Sequence, residues 1–370
     1  MRKCVLTATA LVGGAVLSAA PAGAQQLVSS KVETPPVVDA AIDDVWSQAE
    51  VFAFKTVVAE YKAEDAHYLD KWWDAYEGNE IPVRMRSVYT DDNIYFLIRW
   101  KDSEDSMDRQ SWYYDEKLGK WTQKPKYIPD ENGREPAYED KFTFFWNLTI
   151  SDFQEKGCEA LCHDTRMHTN RDGDIADIWH WKRDRGGPVG EVDDKWLNND
   201  ENGRHGDPGS STYSGNSQEL ETAQGKMKAP LHWIPGRMNY HWILQSEIDA
   251  GFARKIVDVD ADGNLVDEDG TVIRKEMVGY DSAWTIPSLT MIKPGTGSRA
   301  DLKEAHKWKD GVWTLEIVRA RDTGDPEHDV QFTRTGTPYE FSVGIMDNAA
   351  IAHATPGGYD GNVFEMMLAE

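Results

Sequence analysis

Five segments of the chain alternate in step with a pleated strand: Val83, Met85 and Ser87; Ile94, Phe96, Ile98 and Trp100; Phe142, Phe144, Trp146 and Leu148; Trp313, Leu315 and Ile317; Tyr339, Phe341, Val343 and Ile345. A period of two sends successive side chains to opposite faces, so each segment reads as a strand with one face against a core. A helix would scatter the same residues around its axis. The turns Asp91-Asp92-Asn93 and Lys309-Asp310-Gly311 separate such segments at hairpin spacing. Helical periodicity is scarce; the best stretch runs around Tyr61 to Tyr76, where Trp72, Trp73 and Tyr76 share a face. The expected fold is therefore mostly β, an antiparallel sandwich with long irregular loops rather than a doubly wound parallel sheet.

The strand-rich ends enclose a region, about residues 151–235, that is rich in Gly, Asp, Asn and His and poor in alternation. Within it, Gly186 to Asn216 holds too few apolar residues for a core of its own and is expected to lean on the sandwich or on a bound group. Residues 25–370 are expected to form one domain with this loop-rich insertion.

Arg2 and Lys3, the apolar run Val5 to Ala19 and the small residues Ala22-Gly23-Ala24 read as a secretory signal peptide cleaved after Ala24, placing the mature chain in the periplasm. Cys4 would leave with it. Removing Arg2 and Lys3 takes the formal charge from −24 to −26. So acidic a chain repels phosphate backbones and anionic lipid, which excludes nucleic acid as a partner, and no later run is long enough for a membrane anchor.

Two cysteines remain, in Gly157-Cys158-Glu159-Ala160-Leu161-Cys162-His163. Covalent attachment of haem needs two thiols for the vinyl groups and a histidine directly after the second thiol for the iron. The segment has these parts at the spacing C-x3-C-H rather than C-x-x-C-H. A disulfide between Cys158 and Cys162 accounts for the same thiols in an oxidising compartment. Further haem donors follow at Met167, His168 and His180, the last between Trp179 and Trp181, which are expected to line the same cofactor site and bury the haem. On a helix His163 and Met167 would share one side, so one of them is expected to take one haem face and a distant residue the other.

Asp258, Asp260, Asp262 and Gly263 resemble the opening of a calcium loop, with Asp269 at its twelfth position where a bidentate Glu is usual. A solvated hairpin with two Asp-Gly turns accounts for the same residues. No motif of hydrolytic or nucleophilic catalysis is present, so the chain reads as an electron carrier rather than a catalyst.

Taken in order, several pieces resemble the haem-binding gamma-type subunits and relatives of ethylbenzene dehydrogenase and similar periplasmic molybdenum oxidoreductases. They are Val38 to Trp46, Tyr95 to Asp102, the Cys158 to Trp181 cassette, Arg204 to Gly209, and Phe341 to Asn348 leading to His353. The resemblance implies an immunoglobulin-like β-sandwich that holds one haem and passes electrons. In those gamma subunits the haem is b-type, ligated by a Met ahead of a Trp-x-Trp-Lys stretch and by a Lys near the C-terminal strand. Met167 matches the Met loosely, whereas Ala349 to Asn362 contains no Lys and offers His353, so the preferred pairs are His163 with His353, Met167 with His353, then His163 with Met167 through an irregular loop. The expected function is a periplasmic haem protein, alone or as the haem subunit of a redox complex, whose partners are a molybdenum-enzyme catalytic subunit or small basic cytochromes. The alternative is a carbohydrate-binding sandwich, with Trp72 and Trp73 stacking on sugar and a structural calcium at Asp258 to Asp269.

Overall fold

The computed structural model describes residues 26–58, 78–163, 166–223, 225–291, 293–357 and 363–370, with backbone alone for Cys158, Glu159, Cys162, His163, Arg166 and Met291. The helical stretch expected around Tyr61 to Tyr76, with Trp72 and Trp73, lies outside these residues, as does the signal segment. Among the described residues no helix is long and apolar enough to cross a membrane.

One sheet of 13 strands dominates. In chain order its strands are β1 (Gln26–Lys31), β2 (Phe52–Val58), β3 (Glu80–Tyr89), β4 (Asn93–Lys101), β5 (Lys141–Asn147), β6 (Ala176–Lys182), β7 (Asp193–Leu197), β8 (Arg204–Gly206), β9 (Lys303–Lys309), β10 (Val312–Ala320), β11 (Tyr339–Met346), β12 (Ala354–Pro356) and β13 (Phe364–Leu368). Their spatial order is β8-β7-β6-β5-β11-β12-β2-β3-β4-β10-β9, with β1 and β13 bridging β3 to β11. All five alternating segments are strands. Asp310 and Gly311 both take positive φ, 52° and 76°, and turn β9 into β10, the conformation a tight hairpin requires.

The sheet folds over on itself into a β-sandwich. Phe96 of β4 lies 5.2 Å from Phe144 of β5 and 5.6 Å from Trp179 of β6, ring centre to ring centre. Trp100 stacks on Phe142 at 5.6 Å and meets Trp181 edge-on at 5.8 Å. These rings, with Trp146, Trp313 and Phe341, are at most 1 % exposed. Such aromatic pairs add about 0.5–1.5 kcal/mol each beyond the area they bury. The far edges approach through a bridge between Glu191 and Lys303.

The sandwich is not wholly antiparallel. β1 runs parallel to both β13 and β3, with Leu27 opposite Met366 and Ser29 opposite Ser87. The Val38 to Trp46 piece ends in a short 3-10 helix, Asp44–Gln48, tied to β10. Glu316 accepts the Asp39 and Ala40 backbone N–H groups at 3.0 and 2.8 Å and the Trp46 indole N–H at 2.8 Å. A second hydrophobic cluster, holding Trp112, Trp121, Trp233, Ile256, Leu265 and Ile286, is built by short strands before and after the insertion as well as within it.

Candidate functional site

The site is set by strand alternation in β5, β6 and β11. Phe142, Phe144 and Trp146, with Trp179, Trp181, Phe341, Val343 and Ile345, fill the core between the layers. The residues between them therefore face the other way. On that outer face the register aligns Ser342, Phe145, Ile178 and Lys195 in one row, Gly344, Thr143, His180 and Asp193 in the next, and Lys141 with Lys182 in a third. Each of these residues is buried except Asp193, which is partly exposed. An outer sheet face buried to this degree needs a cover.

The cover over its apolar end is the cassette. Ile150, Phe153, Ala160 and Leu161 pack with Phe145, Ala176, Ile178 and Leu197, and the half-buried Met167 joins them. The Cys158 backbone lies in a 3-10 turn, Gly157–Ala160, and the chain then forms a small hairpin, with Cys162 opposite Met167 and His163 opposite Arg166. The helix assumed for this stretch is thus replaced by a hairpin. His163 and Met167 sit on neighbouring rungs of it, so the helical reason for setting them on one side lapses. The side chains of Cys158, Cys162 and His163 lie outside the described residues. Met167 Sδ is 3.6 Å from Arg204 Nη1.

The loop after β11 closes over the next row. The half-buried His353 ring lies over Gly344 of β11, its Cδ2 3.7 Å from where a Cβ would stand, an ordinary van der Waals contact. Nδ1 pairs with the Ile351 carbonyl at 2.8 Å, and because a carbonyl only accepts, this puts the proton on Nδ1 and the ring's lone pair on Nε2. Burial holds the ring in its neutral form. His180, 8 % exposed, is held neutral by burial first and then by Lys182, Lys195, Lys141 and Arg185. Among the described residues its Nε2 has no hydrogen-bond partner, nor have Thr143 Oγ1 and Ser342 Oγ on the same face. Three orphaned polar atoms on one buried face are costly, since each forfeits about 1–3 kcal/mol of hydration without compensation.

The ethylbenzene dehydrogenase family profile matches residues 43–356, most of the chain. The chain belongs to the ethylbenzene dehydrogenase family. A search of the curated proteins returns no match. Among solved structures, a family 9 carbohydrate-binding module from Caldicellulosiruptor kristjanssonii in complex with glucose is 10% identical over 93% of this chain and 95% of that one, with a TM-score of 0.31. The same organism's module in complex with cellotriose is 8% identical over the same shares, with a TM-score of 0.30. Likenesses at that score carry no argument about what this ethylbenzene dehydrogenase family member binds.

In this family member Trp179 and Trp181 do not share a site with His180. They point from the opposite side of β6 into the core, where Trp179 donates to Asp177 Oδ2 at 3.1 Å. The Asp258 to Asp269 segment forms a hairpin with Gly263 and Gly270 in left-handed turns. There Asp260 accepts the backbone N–H groups of Asp262 and Asn264 at 3.0 and 2.9 Å, and Asp269 pairs with Arg254 at 3.0 Å. The Asp258 carboxylate takes the Val259 N–H.

The described carboxylates that gather in threes lie elsewhere, around Asp177, Asp194 and Asp329 and around Asp102, Asp140 and Asp347. Arg319 answers the first group, at 3.2, 3.4 and 3.7 Å from the three aspartates. Among the described ion pairs, none reaches the second. Burial, then Asp347, pushes Asp102 up to about 7. Because that lies above the unfolded value of about 3.9, the folded chain holds the proton where the unfolded chain has lost it, and stability present below pH ~4 drains away as pH rises through 7. Asp102→Asn keeps an acceptor for the Glu104 N–H. It should melt with wild type near pH 4 and above it at pH 8, the gap widening by at most about 1.4 kcal/mol per pH unit. Equal offsets in melting temperature at both pH values would count against a protonated Asp102.

Proposed function

We propose that this protein binds haem on the outer face of β5, β6 and β11, beneath the cassette and the His353 loop, and serves as an exported electron carrier or as the haem subunit of a redox complex. The observation that carries the proposal is the grading of that buried face. It is apolar at Phe145 and Ile178, without a side chain at Gly344 beneath the His353 ring, lined by polar atoms unpartnered among the described residues at Thr143, Ser342 and His180, and cationic at Lys141 and Lys182. A flat, largely apolar group with a charged edge fits such a gradient. His353 and either Met167 or His163 would hold the iron, and the thiols of Cys158 and Cys162 would attach the porphyrin. Haem supplies a one-electron couple whose potential follows its axial ligands and burial. The chain's part is to fix the His353 tautomer through Ile351, to exclude water with Phe145, Ile178 and Leu161, and to keep the ring neutral. Export with cleavage after Ala24 is part of this reading. A formal charge near −26 favours basic partners, in a salt-dependent way.

The test is spectroscopic. Protein exported by a host with cytochrome c maturation should show a Soret band and a pyridine haemochrome spectrum, and Cys158→Ala with Cys162→Ala should render the haem extractable by acid-acetone. Gly344→Val suits a strand but fills the seat between Phe145 and His353, and should fold while taking up at most about a tenth of the haem. Folded protein that stays colourless at full expression would rule out the reading.

A further inference from the structure

The cationic end of the same face carries more charge than the protein answers. Lys141 and Lys182 stand directly opposite each other in register, and both are 2 % exposed. Like charges directly opposite on a sheet repel, and burial compounds the cost. Lys182, Lys195 and Arg299 converge on the single carboxylate of Asp193, the last two at 2.9 and 2.8 Å. Arg185 and Arg109 share Glu139. Lys141 has no carboxylate partner among the described ion pairs, and its ammonium donates to the Ala350 carbonyl at 2.9 Å. Asp184, beside Glu139, is held protonated by burial and adds no negative charge. Six basic groups therefore meet two ionised carboxylates, and the surplus sits next to the orphaned Nε2 of His180. Burial pushes Lys182 down to about 8 and, with the neighbouring Lys182 ammonium, Lys195 to about 7, even though Asp193 pulls both the other way.

We infer that Lys141, Lys182 and Lys195, with His180, form a buried anion site that takes the two carboxylate groups on the edge of the bound porphyrin. The inference rests on the haem reading for its ligand, and it gives these lysines a purpose that packing does not: in the haem-free chain they destabilise the sheet. Their removal should therefore have opposite effects on the two forms, which distinguishes an anion site from a structural role.

The full chain, prepared free of haem, is titrated with ferric haem and with its dimethyl ester, without a maturation system so that no thioether forms. Wild type should prefer haem over the ester by at least about tenfold. Lys141→Met and Lys182→Met should each weaken haem binding about tenfold, leave binding of the ester unchanged, and raise the melting temperature of the haem-free chain. Equal affinity of wild type for haem and ester would overturn the anion site while leaving the haem reading standing, and this comparison needs no variant to fold. Should wild type give no Soret band with either, the haem reading fails instead. The anion site is then decided by glutarate: a rise in melting temperature in wild type that Lys141→Met abolishes supports it, and no rise in wild type overturns it.

Discussion

Arg319→Met should leave the protein largely unfolded at pH 8 and partly rescued at pH 5. Arg319 is fully buried in β10. It is the one cation among the described residues that touches Asp177, Asp194 and Asp329 together, and its Nη2 donates to the Val330 carbonyl while the guanidinium lies 4.6 Å from the centre of the Trp179 ring. Burial already pushes Asp177 up to about 7, and buried Asp207 beside them to about 8. Without the guanidinium these groups are stranded charges. Removing one partner of a buried ion pair costs about 3–5 kcal/mol, a large share of the roughly 5–15 kcal/mol that holds a domain together. Because the aspartates have raised values, acid neutralises them and returns part of the loss; the sign is that of a group whose stabilising protonated form disappears as pH rises through 7 to 8. Circular dichroism melts at the two pH values measure this. A variant melting within a few degrees of wild type at pH 8 would mean that the aspartates are neutral without Arg319.

If the chain binds haem as proposed, with His353 on the iron, His353→Ala should open a coordination position, shift the Soret band toward a high-spin form and confer binding of carbon monoxide or cyanide. The bond from Nδ1–H to the Ile351 carbonyl fixes the tautomer in which Nε2 carries the lone pair, an arrangement that commonly orients a metal-binding histidine. The ring's seat on Gly344 sets it over the row that contains Thr143 and His180. Alanine removes the donor and leaves the backbone of the loop in place. If His353→Ala stays low-spin and Met167→Ala does not, the sulfur is the ligand and the histidine only packs.

The sandwich was legible because Phe142, Phe144 and Trp146, and Ile94, Phe96, Ile98 and Trp100, recur at a period of two and all enter the core, although Phe145, Tyr95 and Leu97 between them are apolar as well. The site was less so. In β6 all seven residues are buried, so His180 and Lys182 look like the solvent side of a strand in the sequence although a cover lies over them. The same alternation that made β6 recognisable should have assigned Trp179 and Trp181 to the face opposite His180; their proximity along the chain outweighed it. The hairpin at Cys162 to Met167 has too few residues to show a period. Buried charge clusters such as those around Arg319 and Lys141 are assembled from strands far apart in the chain, and spacing carries no trace of them. The parallel placement of β1 was equally invisible, since a strand's pattern does not encode its direction.

That placement sets an order of events. β1 finds both its neighbours far along the chain, in β3 and in β13, where Gln26 meets Glu365 and Ser29 meets Leu368. Contacts between segments so distant in sequence form slowly, because nearly the whole chain must be gathered to close them. β13 pairs with both β1 and β11, so the layer cannot knit shut until these distant segments have been gathered. Until then the Tyr339 to Phe341 stretch of β11 lacks its neighbour on that side, although β5 and β12 hold the rest of the strand, and a folding intermediate would present that stretch to any passing strand. The clasp thus makes assembly late and nearly simultaneous, and it makes the final five-residue strand a point where truncation should turn a slow folder into an aggregating one.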